Sequence, residues 1–136
     1  WQNNLKVQIE LTNEEWKVYL NTQQKMEYQV SRAGWIGDYN DPNTFLDMWL
    51  TGGGNNYTGF TNKKFDQLIA AASQEANPKK RFSLFEQAEE ILLDEMPIIP
   101  IYHYTSKYLA NPMVKGWHPT ILNHHPYKYV SIAPGD

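Results

Sequence analysis

The stretch from residue 33 to residue 46, AGWIGDYNDPNTFL, decides how the chain is interpreted. It follows residues 28–33, whose alternation Y-Q-V-S-R-A predicts a strand. It then places two carboxylates, Asp38 and Asp41, beside bulky aromatic side chains. Acids in such surroundings bind a cation, form a catalytic pair or cap a helix.

Asp41 and Pro42 together predict the start of a helix. Aspartate is favoured at the N-cap because its carboxylate accepts a backbone N–H of the first turn. Proline is favoured at the next position because its missing N–H would have no helical partner there. The short helix that follows has the apolar positions Phe45, Leu46 and Trp49.

Asp38 has two interpretations, and the local sequence leaves both open. Its carboxylate can bond its own backbone in an Asx-turn. Alternatively, a carboxylate that is partly desolvated beside Trp35, Ile36 and Tyr39 needs a cation. The loop supplies no lysine, and Arg32 lies six residues back along an extended path. The cation would then be the ammonium group of a ligand.

Upstream of this stretch the sequence predicts a strand followed by a helix. Residues 7–11 alternate as V-Q-I-E-L, which is typical of a half-buried strand. Thr12 and Glu15 fit a capping box, in which each side chain bonds the backbone of the other residue. A helix is therefore expected over residues 13–24, with one apolar face formed by Trp16, Tyr19 and Leu20.

Downstream of it the sequence predicts two longer helices and an irregular tail. The first begins at residue 61 or 62 and has the apolar positions Phe65, Leu68, Ile69 and Ala72. Asn77-Pro78 starts the second, which ends near residue 95 and has the apolar positions Phe82, Phe85, Ala88 and Leu92. Residues 96–104 should be extended, and residues 111–136 should be loop with short strands. This order of strands and helices predicts an α/β fold.

Composition excludes several classes of function. The 136 residues suffice for about one domain, and the net charge of -3 gives no reason to expect nucleic acid as a partner. Without cysteine there is no thiol catalysis and no cysteine-based zinc site. No apolar run approaches the roughly 18 residues of a membrane span. The opening WQNNLKVQIEL has no features of a targeting segment, so we expect a piece of a longer protein.

The remaining polar motifs favour structural roles over catalytic or metal sites. The adjacent pair His124-His125 cannot face one site on a helix or strand, so we expect no metal and no cofactor. The glycines of residues 51–59 lack the phosphate-loop pattern and follow a helix, which indicates a turn. The basic runs at residues 63–64 and 79–81 indicate a solvated face.

One catalytic alternative remains, a hydrolase that uses Asp38 and Asp41 as its two carboxylates. Such pairs lie about 5 to 9.5 Å apart on opposite sides of the bond that they cleave. Two acids within one turn can meet that distance but rarely straddle a substrate. We therefore expect no catalytic residue.

Three segments carry a family resemblance: LKVQIELTNEEWKVYL (residues 5–20), SRAGWIGDYNDPNTFLDMW (31–49) and NPKKRFSLFEQAEEILLDEMPIIPIY (77–102). Together they resemble the periplasmic oligopeptide-binding proteins of ABC importers, in the extracellular solute-binding protein family 5 that also serves dipeptides and nickel. The resemblance implies the C-terminal portion of a two-lobed periplasmic-binding-protein fold. Residues 1–104 would be the later half of the peptide-binding second lobe, and residues 105–136 a tail returning toward the first.

The resemblance also implies residue roles. Asp38 would bind the free α-ammonium group of a peptide, with Trp35 beside it. Gly34 and Ile36 would offer backbone groups to an extended peptide, by strand addition. The other implied contacts are a carboxylate partner, Arg32, and two pocket walls, Trp16 and Tyr104.

The implied protein binds and hands over peptides and is not an enzyme. Its partners would be an oligopeptide, the membrane permease of an ABC transporter and the remainder of the full-length binding protein. It would be periplasmic, or extracellular and lipid-anchored to the cell membrane. The form GDYNDP favours the oligopeptide branch, and a dipeptide- or nickel-binding protein of the same family is the alternative.

Overall fold

Five α-helices and two short β-strands make up the regular structure of residues 1–120 and 122–133, which the computed structural model describes. The elements are α1 (Gln2–Leu5), α2 (Trp16–Gln24), α3 (Asn43–Leu46), α4 (Lys63–Gln74), α5 (Pro78–Glu95), β1 (Val114–Lys115) and β2 (Ser131–Ile132). A 3-10 turn follows α3 (Asp47–Trp49), and another precedes β2 (Tyr127–Tyr129). The chain divides into two compact units, Trp1–Ala33 and Gly34–Asp136.

The antiparallel pair of α4 and α5 holds the core of the second unit. Asn62 caps α4, since its side chain accepts two N–H groups of the first turn at 2.9 Å. The same side chain donates to Glu95 at the end of α5. At the opposite end, Arg81 Nε donates to the Ala72 carbonyl, 3.2 Å away. The two helices and the segments beside them bury one apolar cluster: Leu46, Phe60, Phe65, Ile69, Ala72, Phe85, Ala88 and Leu92.

Both helices begin where the sequence predicts. Asn62 is the N-cap of α4, and Asn77 is the N-cap of α5. The side chain of Asn77 accepts the N–H of Lys80 at 3.2 Å, and Pro78 occupies the first helical position. An asparagine at the cap therefore locates both helix starts from sequence alone, and at α5 a proline directly after it adds to the signal.

Phe82 is a predicted core residue that the structure leaves half exposed, at 50%, whereas Phe85 is buried, at 4%. At about 100° per residue, Ala88 and Leu92 lie on one side of Phe85 and Phe82 lies on the other. The residue that falls between Ala88 and Leu92 on this face is Arg81. The packed face of α5 is therefore centred on Arg81, and Phe82 lies at its edge.

Helix α2 begins later than predicted, at Trp16. Its N-cap is Glu15, whose carboxylate accepts the N–H of Lys17 at 2.9 Å. The predicted capping box with Thr12 is therefore wrong, because Glu15 is itself the cap and does not reach back to an earlier residue. The predicted end of this helix, at Gln24, is confirmed.

The two strands predicted over residues 7–11 and 28–33 are absent from the first unit, all of which is described. Neither segment forms a ladder there, and the side chain of Leu11 is exposed. Alternating apolar residues mark a surface that can pack in a sheet, but a strand forms only where a second strand completes its hydrogen bonds. Residues 96–104 likewise form no ladder.

The regular sheet of the described residues is the antiparallel pair of β1 and β2, with Val114 opposite Ile132 and Lys115 opposite Ser131. It lies in the tail, for which the sequence predicts loop with short strands. The described residues thus contain both helix and strand, and the strands predicted over residues 7–11 and 28–33 are not among them. The predicted division after residue 104 concerns the lobes of a longer protein and stays a prediction.

Candidate functional site

The candidate loop, residues 34–38, leads from the start of the second unit toward α3. It forms neither helix nor strand. Trp35 is 37% exposed, and Ile36 is exposed. A Cβ placed on Gly34 would have no neighbour within 4 Å. The loop therefore presents both backbone groups and apolar side chains to solvent.

Asp38 is an exposed residue whose backbone is held in place. Its N–H donates to Oγ1 of Thr44 at 3.0 Å, and Thr44 is buried, with 1% of its surface exposed. Among the described residues of the second unit, no hydrogen bond or ion pair reaches the Asp38 carboxylate. An Asx-turn needs this carboxylate to accept a backbone N–H, so the described residues do not support that interpretation.

Asp41 has both carboxylate oxygens occupied. Helix α3 begins one residue later than predicted, at Asn43, and Oδ1 of Asp41 accepts the Asn43 N–H at 2.9 Å. Arg81 Nη1 donates to Oδ2 at 2.6 Å, and Nη2 donates to Oδ1 at 2.9 Å. Paired bonds of this kind are strong and directional. The hydrogen bonds from Arg81 lower the pKa of Asp41.

Arg81 ties three parts of the second unit together. Besides binding Asp41, it donates to the Ala72 carbonyl at the end of α4, and its guanidinium lies 4.6 Å from the centre of the Phe85 ring. The prediction of a solvated face at residues 79–81 is therefore wrong for Arg81. Arg81 lies four residues before Phe85, and residues four apart share one face of a helix. This spacing is the sequence signal that places Arg81 on the packed face of α5.

Tyr39, the residue that directly follows Asp38, is hydrogen-bonded to Asn43 and Asp47. Asn43 Nδ2 donates to Oη of Tyr39 at 2.8 Å and to Oδ2 of Asp47 at 2.9 Å. The Tyr39 hydroxyl donates to the same Asp47 oxygen at 3.1 Å. The backbone on the C-terminal side of Asp38 is thus tied to α3 by side chains that the sequence analysis did not identify.

Trp16 and Arg32 lie in the first unit, and both contact Tyr19. The rings of Trp16 and Tyr19 stack with their centroids 5.4 Å apart. The Tyr19 hydroxyl donates to the backbone carbonyl of Arg32 at 2.8 Å. Both Trp16 and Arg32 are exposed. These two predicted site residues therefore share one neighbour, Tyr19, within their own unit.

Tyr104 lines an open cavity of about 730 Å³ in the second unit. The cavity wall includes Lys107, Trp117 and His125 and none of residues 34–38. The rings of Trp117 and His125 stack, with their centroids 4.1 Å apart. No described contact joins Tyr104 to Asp38, so the structure does not bring these two predicted site residues together.

The glycine-rich segment forms an ordered turn. Asn56 Nδ2 donates to three backbone carbonyls around it, and Gly52 and Gly59 adopt positive φ angles. The described residues contain no group of three or more histidine and acidic side chains placed to bind a metal ion. Among the helices of those residues, none is both long and apolar enough to cross a membrane.

Several curated proteins with similar sequences are peptide-binding proteins, although no family model matches the chain. It is 43% identical over 135 residues to the dipeptide-binding protein DppE of Bacillus subtilis, covering 99% of the chain and 24% of that protein. It is 43% identical over 117 residues to the oligopeptide-binding protein OppA of the same organism, covering 85% of the chain and 22% of the relative. The chain thus spans about a quarter of the length of these relatives.

Solved structures show the same likeness in three dimensions. The murein tripeptide-binding protein MppA of Escherichia coli matches with a TM-score of 0.84 at 35% identity, over 99% of this chain and 27% of its own. OppA of Haemophilus influenzae in complex with the peptide RPPGFSPFR matches with a TM-score of 0.85 at 32% identity, over 98% and 27%. These are two-lobed solute-binding proteins, and this chain aligns with a small part of them. The chain is a homologue of the oligopeptide- and dipeptide-binding proteins and corresponds to about a quarter of their length.

Proposed function

We propose that this chain is part of the peptide-binding component of an ABC import system. That component holds an extended oligopeptide, by its backbone and its N-terminal amine, in a cleft that closes around it. The observation that carries the proposal is the free carboxylate of Asp38, on a backbone that the buried Thr44 fixes. The peptide-binding relatives support the same class of ligand.

The Asp38 carboxylate suits a primary ammonium group. When a cleft closes, water leaves, the local dielectric constant falls, and the attraction between carboxylate and ammonium rises. Both charges also lose hydration, which offsets part of that gain. The pair therefore selects peptides with a free amine and fixes their register.

The rest of the candidate loop suits a peptide main chain. Gly34 and Ile36 take part in no described backbone hydrogen bond, so their N–H and C=O groups are available to an added strand. Trp35 would cover the first peptide residue. The remaining proposed contacts are Arg32 with the carboxylate of a short peptide, and Trp16 and Tyr104 with peptide side chains.

Binding without catalysis is the activity that the two aspartates support. A two-carboxylate hydrolase needs one acid to give or take a proton, and Asp41 has both oxygens bonded and a lowered pKa. The relatives reported above are binding proteins as well. We therefore propose no catalytic role for Asp38 and Asp41.

The compartment and the transport partner follow from the same proposal. The protein would be periplasmic, or extracellular and lipid-anchored, and would deliver its peptide to a membrane permease. A dipeptide-binding protein is the second candidate, because DppE carries that name and is 43% identical. Calorimetric titration of the full-length protein with a dipeptide and with a tripeptide separates the two, since the correct ligand class binds more tightly.

The substitution Asp38→Asn in the full-length protein tests the central contact. Isothermal titration calorimetry with a tripeptide and its N-acetylated form measures the preference for a free amine. The parent should prefer the free amine, and the variant should lose about ten- to a hundredfold of that preference, because the ammonium loses its charged partner. Glu86→Gln, which removes an exposed acid from α5, is the matched control. An unchanged preference in Asp38→Asn would rule out the contact.

A further inference from the structure

We propose that Thr44 and Gly37 are positioning residues, which set where Asp38 stands and thereby control the selection of peptides with a free amine. The inference rests on the proposed function, because it presupposes that Asp38 binds the ligand ammonium. Neither residue would touch the peptide. Their effect passes through the backbone of Asp38.

Thr44 fixes the Asp38 backbone through one partly buried hydrogen bond. Its hydroxyl accepts the Asp38 N–H at 3.0 Å, and only 1% of the residue is exposed. The Thr44 N–H in turn donates to the Asp41 carbonyl at 3.3 Å. Because a buried polar group that loses its partner is costly, this bond strongly favours one position of the loop over α3.

Gly37 lets the loop approach α3 closely. A Cβ on Gly37 would lie 3.1 Å from Cγ2 of Thr44 and 3.1 Å from Cζ of Phe45. Gly37 has no left-handed φ angle, so the position requires space and not an unusual backbone conformation. A side chain here would require Thr44, Phe45 or the loop itself to shift, and a shift of the loop would lengthen the bond from Asp38 to Thr44.

The helix beneath these two residues is anchored to the core. Leu46 of α3 lies in the buried cluster, and the paired bonds between Asp41 and Arg81 tie the start of α3 to α5. A continuous series of contacts therefore runs from the helical core to the backbone of Asp38. Holding a binding group in its bound position before the ligand arrives raises affinity, because less motion has to be frozen on binding.

Thr44→Val in the full-length protein tests the hydrogen bond while it keeps the shape of the side chain. Affinity for the free tripeptide should fall by about three- to tenfold, because Asp38 loses its anchor. Affinity for the N-acetylated tripeptide should change little. Thr44→Ser restores a hydroxyl and should restore the preference. Gly37→Ala should weaken the preference as Thr44→Val does, since the added methyl group crowds the contact between the loop and α3.

The ratio of the two affinities distinguishes positioning from general stability. If Thr44→Val and Gly37→Ala leave this ratio as in the parent, or weaken both peptides equally, the positioning role is wrong. Combined with Asp38→Asn, Thr44→Val should change the ratio no further, because the group that it positions is gone. If Asp38→Asn alone leaves the ratio intact, the proposed function itself fails, which is a different result.

Discussion

Asp38 and Asp41 lie three residues apart, yet their surroundings give them opposite tasks. Asp41 is bonded to Arg81 and to the Asn43 N–H, so its charge is already neutralised within the fold. The Asp38 carboxylate has no such partner in the described second unit, so its charge stays available. Substitution of Asp41 should therefore affect folding, and substitution of Asp38 should affect binding.

Asp41→Asn tests the folding role and its dependence on pH. Asparagine can still accept the Asn43 N–H, so the substitution mainly removes the charge that faces Arg81. Both side chains are partly buried, and we expect the free energy of unfolding to fall by about 1–2 kcal/mol at neutral pH. Urea unfolding of parent and variant, followed by circular dichroism, measures this difference.

The pH at which this difference disappears follows from the lowered pKa of Asp41. Its folded pKa lies below the unfolded value of about 4, so the stabilisation is fully present above about pH 4. It is lost as the pH falls through the folded pKa. Asp38→Asn should leave the free energy of unfolding unchanged over the same range. A difference for Asp41→Asn that persists in strong acid would mean that the charge is not its cause.

At the scale of elements, the accuracy of sequence analysis depends on how local the determining contacts are. Helices α4 and α5 were predictable because their caps and their apolar period lie within each segment. The strands at residues 7–11 and 28–33 were not, because pairing depends on another part of a chain. The candidate site divides in the same way: the sequence neighbours of Asp38 made it a candidate, and the family resemblance suggested its role, which stays a prediction.

The sequence pattern does not indicate which residues support the candidate site. Thr44 and Gly37 acquire their roles only when the loop folds back onto α3, which no residue period indicates. Arg81 is an intermediate case, since its place on the packed face of α5 follows from its spacing to Phe85. Its pairing with Asp41, forty residues away in sequence, does not.

A pair of phenylalanines on α5 provides a matched test of which face of that helix packs. Phe85→Ala should lower the free energy of unfolding by about 3–5 kcal/mol, because it leaves a cavity in the core. Phe82→Ala removes the same atoms from a half-exposed position and should cost less than about 1 kcal/mol. Urea unfolding of both variants measures the difference. Equal costs would show that α5 packs through another face.

At the scale of the whole molecule, the chain corresponds to about a quarter of its relatives. The described residues leave many large apolar side chains exposed, among them Leu11, Ile36, Ile101 and Leu109. One carboxylate and a short loop can select an amine but cannot enclose a peptide. Under the proposed function, enclosure would depend on surface from both lobes, since affinity comes from contacts made in a closed, water-free cleft.

The isolated 136-residue chain should therefore bind peptide far more weakly than the full-length protein. We expect the affinity for a free tripeptide to fall at least about a hundredfold, because most of the buried contact is lost while the cost of immobilising the peptide remains. Calorimetry on both forms measures this, with circular dichroism to establish that the isolated chain is helical. Asp38→Asn in the isolated chain is the control for non-specific binding. Equal affinity in both forms would place the complete peptide site within these residues.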